Sequence, residues 1–125
     1  MKLVQIDTSK PIIVPASGSP NGKQIKITPT ATPGTELHKA VEGTDSWDVV
    51  TVEACNTSGA AVVLTVEFGG VAVDDQIKVS IAQSAAPVVV VNQRWINNGL
   101  VIRAFAATTN VINVYVSVMR YSSGS

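Results

Sequence analysis

The chain has one cysteine, one histidine, few aromatic residues and little charge. Each shortage removes a class of explanation. A single thiol, Cys55, cannot form an intramolecular disulfide. One cysteine and one histidine, Cys55 and His38, cannot supply the common ligand sets of zinc, so no metal site is expected. Charged residues make up 14% of the chain, and nine basic residues balance nine acidic ones. Nothing in that balance attracts a phosphate backbone, so no nucleic-acid partner is expected. A surface this poor in charge has little protection against self-association. No apolar run is long enough for a signal peptide or a transmembrane helix, so folding in a cytoplasm, with no membrane partner, is the expectation. No stretch carries the apolar periodicity of an amphipathic helix.

What is present is alternation. At 125 residues the chain is expected to form one domain that buries a core without staples. Residues 47–70, WDVVTVEACNTSGAAVVLTVEFGG, read as two strands. Asp48, Val50, Val52 and Ala54 share one side of the first, with Val49, Thr51 and Glu53 opposite. Val62, Leu64, Val66 and Phe68 share one side of the second, with Val63, Thr65 and Glu67 on the wetter side. Asn56, Thr57, Ser58 and Gly59 tolerate a reversal, so the pair reads as a hairpin with Val52 opposite Leu64 and Ala54 opposite Val62. Further alternating segments put Ile25 and Ile27, then Ile77, Val79 and Ile81, then Leu100, Ile102, Ala104 and Ala106, then Ile112, Val114, Val116 and Val118 inward. Residues 36–41, ELHKAV, are strand or irregular. Residues 88–91 are four valines, the pattern of a strand buried on both faces.

Roughly seven to nine short strands with turn signals between them indicate an all-β, jelly-roll-like antiparallel β-sandwich. It is expected to occupy residues 23–121, with a short flexible tail at 122–125. Pro11, Pro15 and Pro20 interrupt residues 1–22, which are read as an extended arm that carries Ile12, Ile13 and Val14 onto a neighbour.

The candidates for chemistry are few. His38 is the only possible triad histidine, and without a G-x-S-x-G context it reads as a solvated surface residue. Asp74 and Asp75 would suit calcium or half of a glycosidase pair, but adjacent strand residues point apart, so they read as a solvated turn. Gly69 and Gly70 lack a following helix and a P-loop lysine. Asn56-Thr57-Ser58 matches a glycosylation sequon, which matters only in a secreted chain. Cys55 reads as a small core residue. Trp47, Trp95, Tyr115 and Tyr121 are scattered in sequence and read as core, corner or subunit-interface packing, with sugar stacking as the alternative. No catalytic, cofactor-binding or metal-binding residue is assigned, and no enzyme is expected.

The order of the 47–70 segment, then QIKVSIAQSAAPVVVV, then NNGLVIRAFAATTNVINVYVSVMRY resembles small virion proteins of tailed bacteriophages. The similarity is to capsid cement (decoration) proteins with a jelly-roll-like fold. It covers roughly residues 47–121, does not extend to residues 1–46, and transfers no individual binding residue. It implies a homotrimer made in the host cytoplasm and bound to the major capsid protein on the outer face of the head. Two rivals remain: a carbohydrate-binding or fibre-type receptor-binding module, and a head–tail or tail-tube component. Aromatic residues grouped on one sheet face would favour the first.

Overall fold

The computed structural model describes residues 10–83 and 86–122. The strands are β1 (Ile12–Val14), β2 (Ile25–Lys26), β3 (Thr35–Lys39), β4 (Trp47–Asn56), β5 (Val62–Phe68), β6 (Gln76–Ile81), β7 (Val88–Ile96), β8 (Val101–Ala106) and β9 (Ile112–Tyr121). One 3-10 turn, Val73–Asp75, joins β5 to β6. Among the described residues no helix is long and apolar enough to cross a membrane.

All pairings are antiparallel and form two sheets. One has the order β1-β9-β4-β7, with β2 also on the β9 edge; the other has the order β3-β8-β5-β6. Four of the pairings are nested: β5 with β6, β4 with β7, β3 with β8, β2 with β9. A long hairpin rolled up on itself gives that nesting, and it is the strand order of a jelly roll. The two apolar faces meet in one core. Val50, Val52, Ala54, Val114, Val116 and Val118 come from the first sheet, and Leu37, Leu64, Val66, Ile81, Ile102, Ala104 and Ala106 from the second.

The alternation expected for β4 and β5 is present, but they are not a hairpin. β4 lies between β7 and β9, so it has no free edge for β5, which pairs with β6 and β8. Val52, Ala54, Val62 and Leu64 are all buried, facing each other across the sandwich. Two apolar rows can be covered side by side or face to face, and the sequence pattern is the same for both. Asn56 fixes the crossing. Its Nδ2 donates to the carbonyls of Ala60 (2.8 Å) and Ile81 (3.0 Å), while its Oδ1 accepts from the Ser58 N–H (2.9 Å).

The N-terminal segment also departs from expectation. Residues 10–22 do not reach away from the sandwich. β1 pairs with β9 through Ile12–Arg120, Ile13–Met119 and Val14–Val118. Ala16 enters the core, and the Gly18 N–H donates to the Leu37 carbonyl at 2.9 Å. The prolines restrict β1 to an edge, as a missing N–H requires. Residues 1–9 of the expected arm and 123–125 of the expected tail lie outside the described residues.

The four-valine run is an edge strand, not a doubly buried one. Among the described residues β7 pairs with β4 alone, and Val89 is 51% exposed while Val91 is buried. Leu100 is exposed and Val79 only half-buried. Thr65 and Glu67, placed on the wetter side of β5, are buried because the connection at residues 29–34 crosses that face. Its Thr32 hydroxyl and its Gly34 N–H (2.6 Å) both donate to the Glu67 carboxylate. Gly34 must be glycine there: a Cβ would stand 2.3 Å from the Ala104 carbonyl carbon.

Leu64 is fully buried at the centre of this core. Leu64→Ala is expected to lower stability by roughly 2–5 kcal/mol in denaturant melts, the range for a large-to-small change in a packed interior. A loss well under about 1 kcal/mol would contradict the packing described.

Candidate functional site

The one histidine is not on the surface. His38 is 2% exposed and Asp48 is fully buried. The alternation that would have pointed His38 outward is broken by a register shift between Glu36 and His38, which leaves Leu37 and His38 both inside. Asp48 sits near the start of β4, in the row shared with Val50, as its spacing indicates. Its Oδ2 receives His38 Nε2 at 2.8 Å, the Val41 N–H at 3.0 Å and Arg120 Nη2 at 3.1 Å; its Oδ1 receives Arg120 Nε at 2.7 Å. On the far side of the ring, His38 Nδ1 accepts the Ser17 N–H at 3.1 Å, which leaves Nε2 as the donor to Asp48. Both ring nitrogens are therefore held by the protein, and neither is open to a substrate.

Burial alone would push the Asp48 carboxyl up. The His38 ring, the Arg120 guanidinium and the Val41 N–H outweigh it and hold Asp48 at about 2. The same contact raises Arg120 above its ordinary value. This cluster joins β3 of one sheet to β4 and β9 of the other and ties the β1–β2 connection to both.

The other sequence candidates are not brought to it. Asp74 and Asp75 lie in the 3-10 turn between β5 and β6, with Asp74 exposed and Asp75 half-buried. Cys55 is not a core residue. It is half-buried on the side of β4 away from the core, where its Sγ lies 3.4 Å from Gln24 Oε1 and 3.8 Å from the Asn113 carbonyl oxygen. Among the described residues no group of three or more His, Cys, Asp or Glu side chains is placed to hold a metal ion.

Four aromatic residues that are scattered in sequence share one surface. Trp47, Trp95, Tyr115 and Tyr121 alternate with the buried residues of β4, β7 and β9, and so stand on the outer face of the first sheet. Trp47 is opposite Tyr121, and Trp95 is opposite Val49. The Trp95 ring stacks on Tyr121, with centroids 5.6 Å apart and planes 16° apart, and meets Trp47 edge-on at 5.9 Å. Trp95 is 46% exposed. Beside this group lies an open cavity of about 260 Å³, lined by Val49, Thr51, Gln93, Trp95, Ser117, Met119 and Tyr121. Gln93 occupies a bulge in β7, with φ 51° and its N–H donating to Thr51 Oγ1 at 3.2 Å.

No protein-family model matches the chain, no curated protein matches it, and no solved structure matches it.

The Asp48 cluster generates a pH dependence. Its folded-state value lies below the ordinary 3.8, so folding favours the charged carboxylate. The stabilisation is complete above the unfolded value and is lost as the pH falls through about 2. Its size is on the order of 2 kcal/mol. Denaturant midpoints measured from pH 5 downward should fall across that window in the parent. The decline should be smaller in Asp48→Asn, which keeps the shape but not the charge. Parallel curves for the two proteins would contradict the account.

Proposed function

We propose that this chain is a structural virion protein, a capsid cement protein that acts as a homotrimer on the outer capsid surface and has no enzymatic activity. The observation that carries the reading is the pair of edges on one sheet that no other described strand covers. β7 exposes Val89 at one edge, and β1 exposes Ile12 (55%) and Ile13 (80%) at the other. An uncovered apolar edge strand templates uncontrolled pairing, so a partner that covers it removes a hazard as well as apolar area. The two edges differ in sequence, and a head-to-tail contact between unlike surfaces closes into a ring when the rotation allows. The reading also draws on the resemblance across residues 47–121 and on the low charged fraction, 14% of the chain with no net charge. In this role each trimer bridges neighbouring major capsid protein subunits and adds buried area at their junctions. It folds in the host cytoplasm and ends on the virion.

One observation favours a second reading, a carbohydrate-binding module: three aromatic rings are grouped on one sheet face.

Light scattering at micromolar concentration should give a trimer mass, and Val89→Lys should shift it toward the monomer. Added protein should raise the melting temperature of heads that lack it. A monodisperse monomer whose mass does not change on concentration, and which leaves head stability unchanged, would refute the cement reading.

A further inference from the structure

We propose that the outer face of β4, β7 and β9 is a saccharide site, in which the exposed Trp95 ring, backed by Tyr121, stacks on the apolar face of a neutral pyranose and Thr51, Gln93 and Ser117 bond its hydroxyls. The inference rests on the second reading above and is independent of the first. Four features of the patch support it.

The aromatic part is already assembled. Trp95 and Tyr121 both line the cavity, and Trp47 braces Trp95 from the side. Rings held this way lose little side-chain freedom on binding, because each has only two side-chain torsions to fix. A pyranose presents a face of C–H groups suited to such a wall, with hydroxyls around its rim.

The polar part is placed to meet that rim. The side chains of Gln93 and Ser117 make no hydrogen bond among the described residues. The Thr51 hydroxyl accepts the Gln93 N–H at 3.2 Å and keeps its own hydrogen to donate. An amide and two hydroxyls offer both donors and acceptors, as a ring of hydroxyls requires.

The backbone is bent to bring Gln93 there. A glutamine at φ 51° is in the left-handed region, which costs free energy for any residue with a Cβ. The bulge sets two residues of β7, Asn92 and Gln93, opposite one of β4, Thr51. Bulges of this kind re-aim side chains beside binding sites.

The lining also selects the ligand class. None of its seven residues is charged. An anionic sugar or a phosphate would lose its hydration with no cation in the lining to replace it. The volume, about 260 Å³, falls just under the range of drug-sized ligands and suits one ring, with any further units in solvent.

The chain's only two tryptophans, Trp47 and Trp95, both belong to this patch, so their emission reports on it alone. Tryptophan fluorescence is titrated with methyl β-D-galactopyranoside, methyl β-D-glucopyranoside and N,N′-diacetylchitobiose, with glucuronate as the anionic control, at up to millimolar concentration. A saturable change with at least one neutral probe and a weaker one with glucuronate is expected. By calorimetry, Trp95→Ala should bind that probe at least tenfold more weakly, and Trp95→Phe should recover part of the loss. Ser117→Ala changes an exposed hydroxyl that leaves the fold intact, and should weaken binding several-fold with an unchanged melting temperature. Gln93→Asn keeps a residue that tolerates the backbone angle and withdraws the amide, and should do the same. No response to any probe overturns the site and the carbohydrate reading together. Undiminished binding by Trp95→Ala and Ser117→Ala overturns the site but leaves that reading. Glucuronate bound as tightly as the neutral probes overturns the ligand class. A lower solution mass for Trp95→Ala, with no effect on sugar binding, makes the patch a subunit seam and overturns the proposal.

Discussion

A charge sealed between two sheets must have all its partners, and Asp48 imposes that condition on this fold. An isolated carboxylate in the interior is far more costly than any single contact can offset. Asp48 meets the condition with donors from three separate places, β3, residue 41 and β9. Through His38 it reaches a fourth, the backbone of Ser17. The sheets cannot part at this end without stranding the charge, and the β1–β2 connection cannot lift without stranding Nδ1. Glu67 acts similarly on the outer side of β5, where it receives Thr32 and Gly34 and holds the 29–34 connection down. The apolar core supplies most of the driving force for collapse. The two buried carboxylates determine which connections lie against the sandwich and where.

This division explains what was legible in the sequence. Period-two alternation identifies the strands and their inward rows, because burying one face of a sheet demands it. Val50, Val52, Leu64, Val66, Val114 and Val116 are all inside for that reason. Asp48 stood in an inward row from the start, and a charge in such a row is a sign of a buried partner elsewhere in the chain. Alternation says nothing of which strand lies beside which. The nested pairing therefore has no local signature, and the sequence-adjacent pair β4 and β5 has the pattern of a hairpin although it spans the core.

Alternation also fails wherever a strand gains a residue. The irregularity between Glu36 and His38 turns a histidine that should face water into the core. Two more irregularities in β7 break the pattern of the valine run and then carry Gln93, Arg94 and Trp95 into their places. Arg94, on the inward side at that edge, lies over the Phe68 ring at 5.0 Å. The aromatic group was hidden for a different reason. Its members come from three strands distant in sequence, and only the placement of β4 between β7 and β9 brings them together.

The inside and the outside of this sheet are mechanically linked. Along β4, Trp47 and Val49 point out on either side of Asp48, which points in; along β9, Met119 and Tyr121 do the same around Arg120. Asp48 is opposite Arg120 in the ladder, and their ion pair lies directly beneath the Trp47–Tyr121 row. A two-pronged Arg–carboxylate contact fixes direction as well as distance. It therefore immobilises the end of β9, where a strand would otherwise fray, and with it the ring on which Trp95 stacks. A binding face works only as well as the elements beneath it are held. The buried cluster commits both His38 ring nitrogens and both Asp48 carboxylate oxygens to internal hydrogen bonds. Its contribution to an outer site is rigidity, delivered through two adjacent residues on each of two strands.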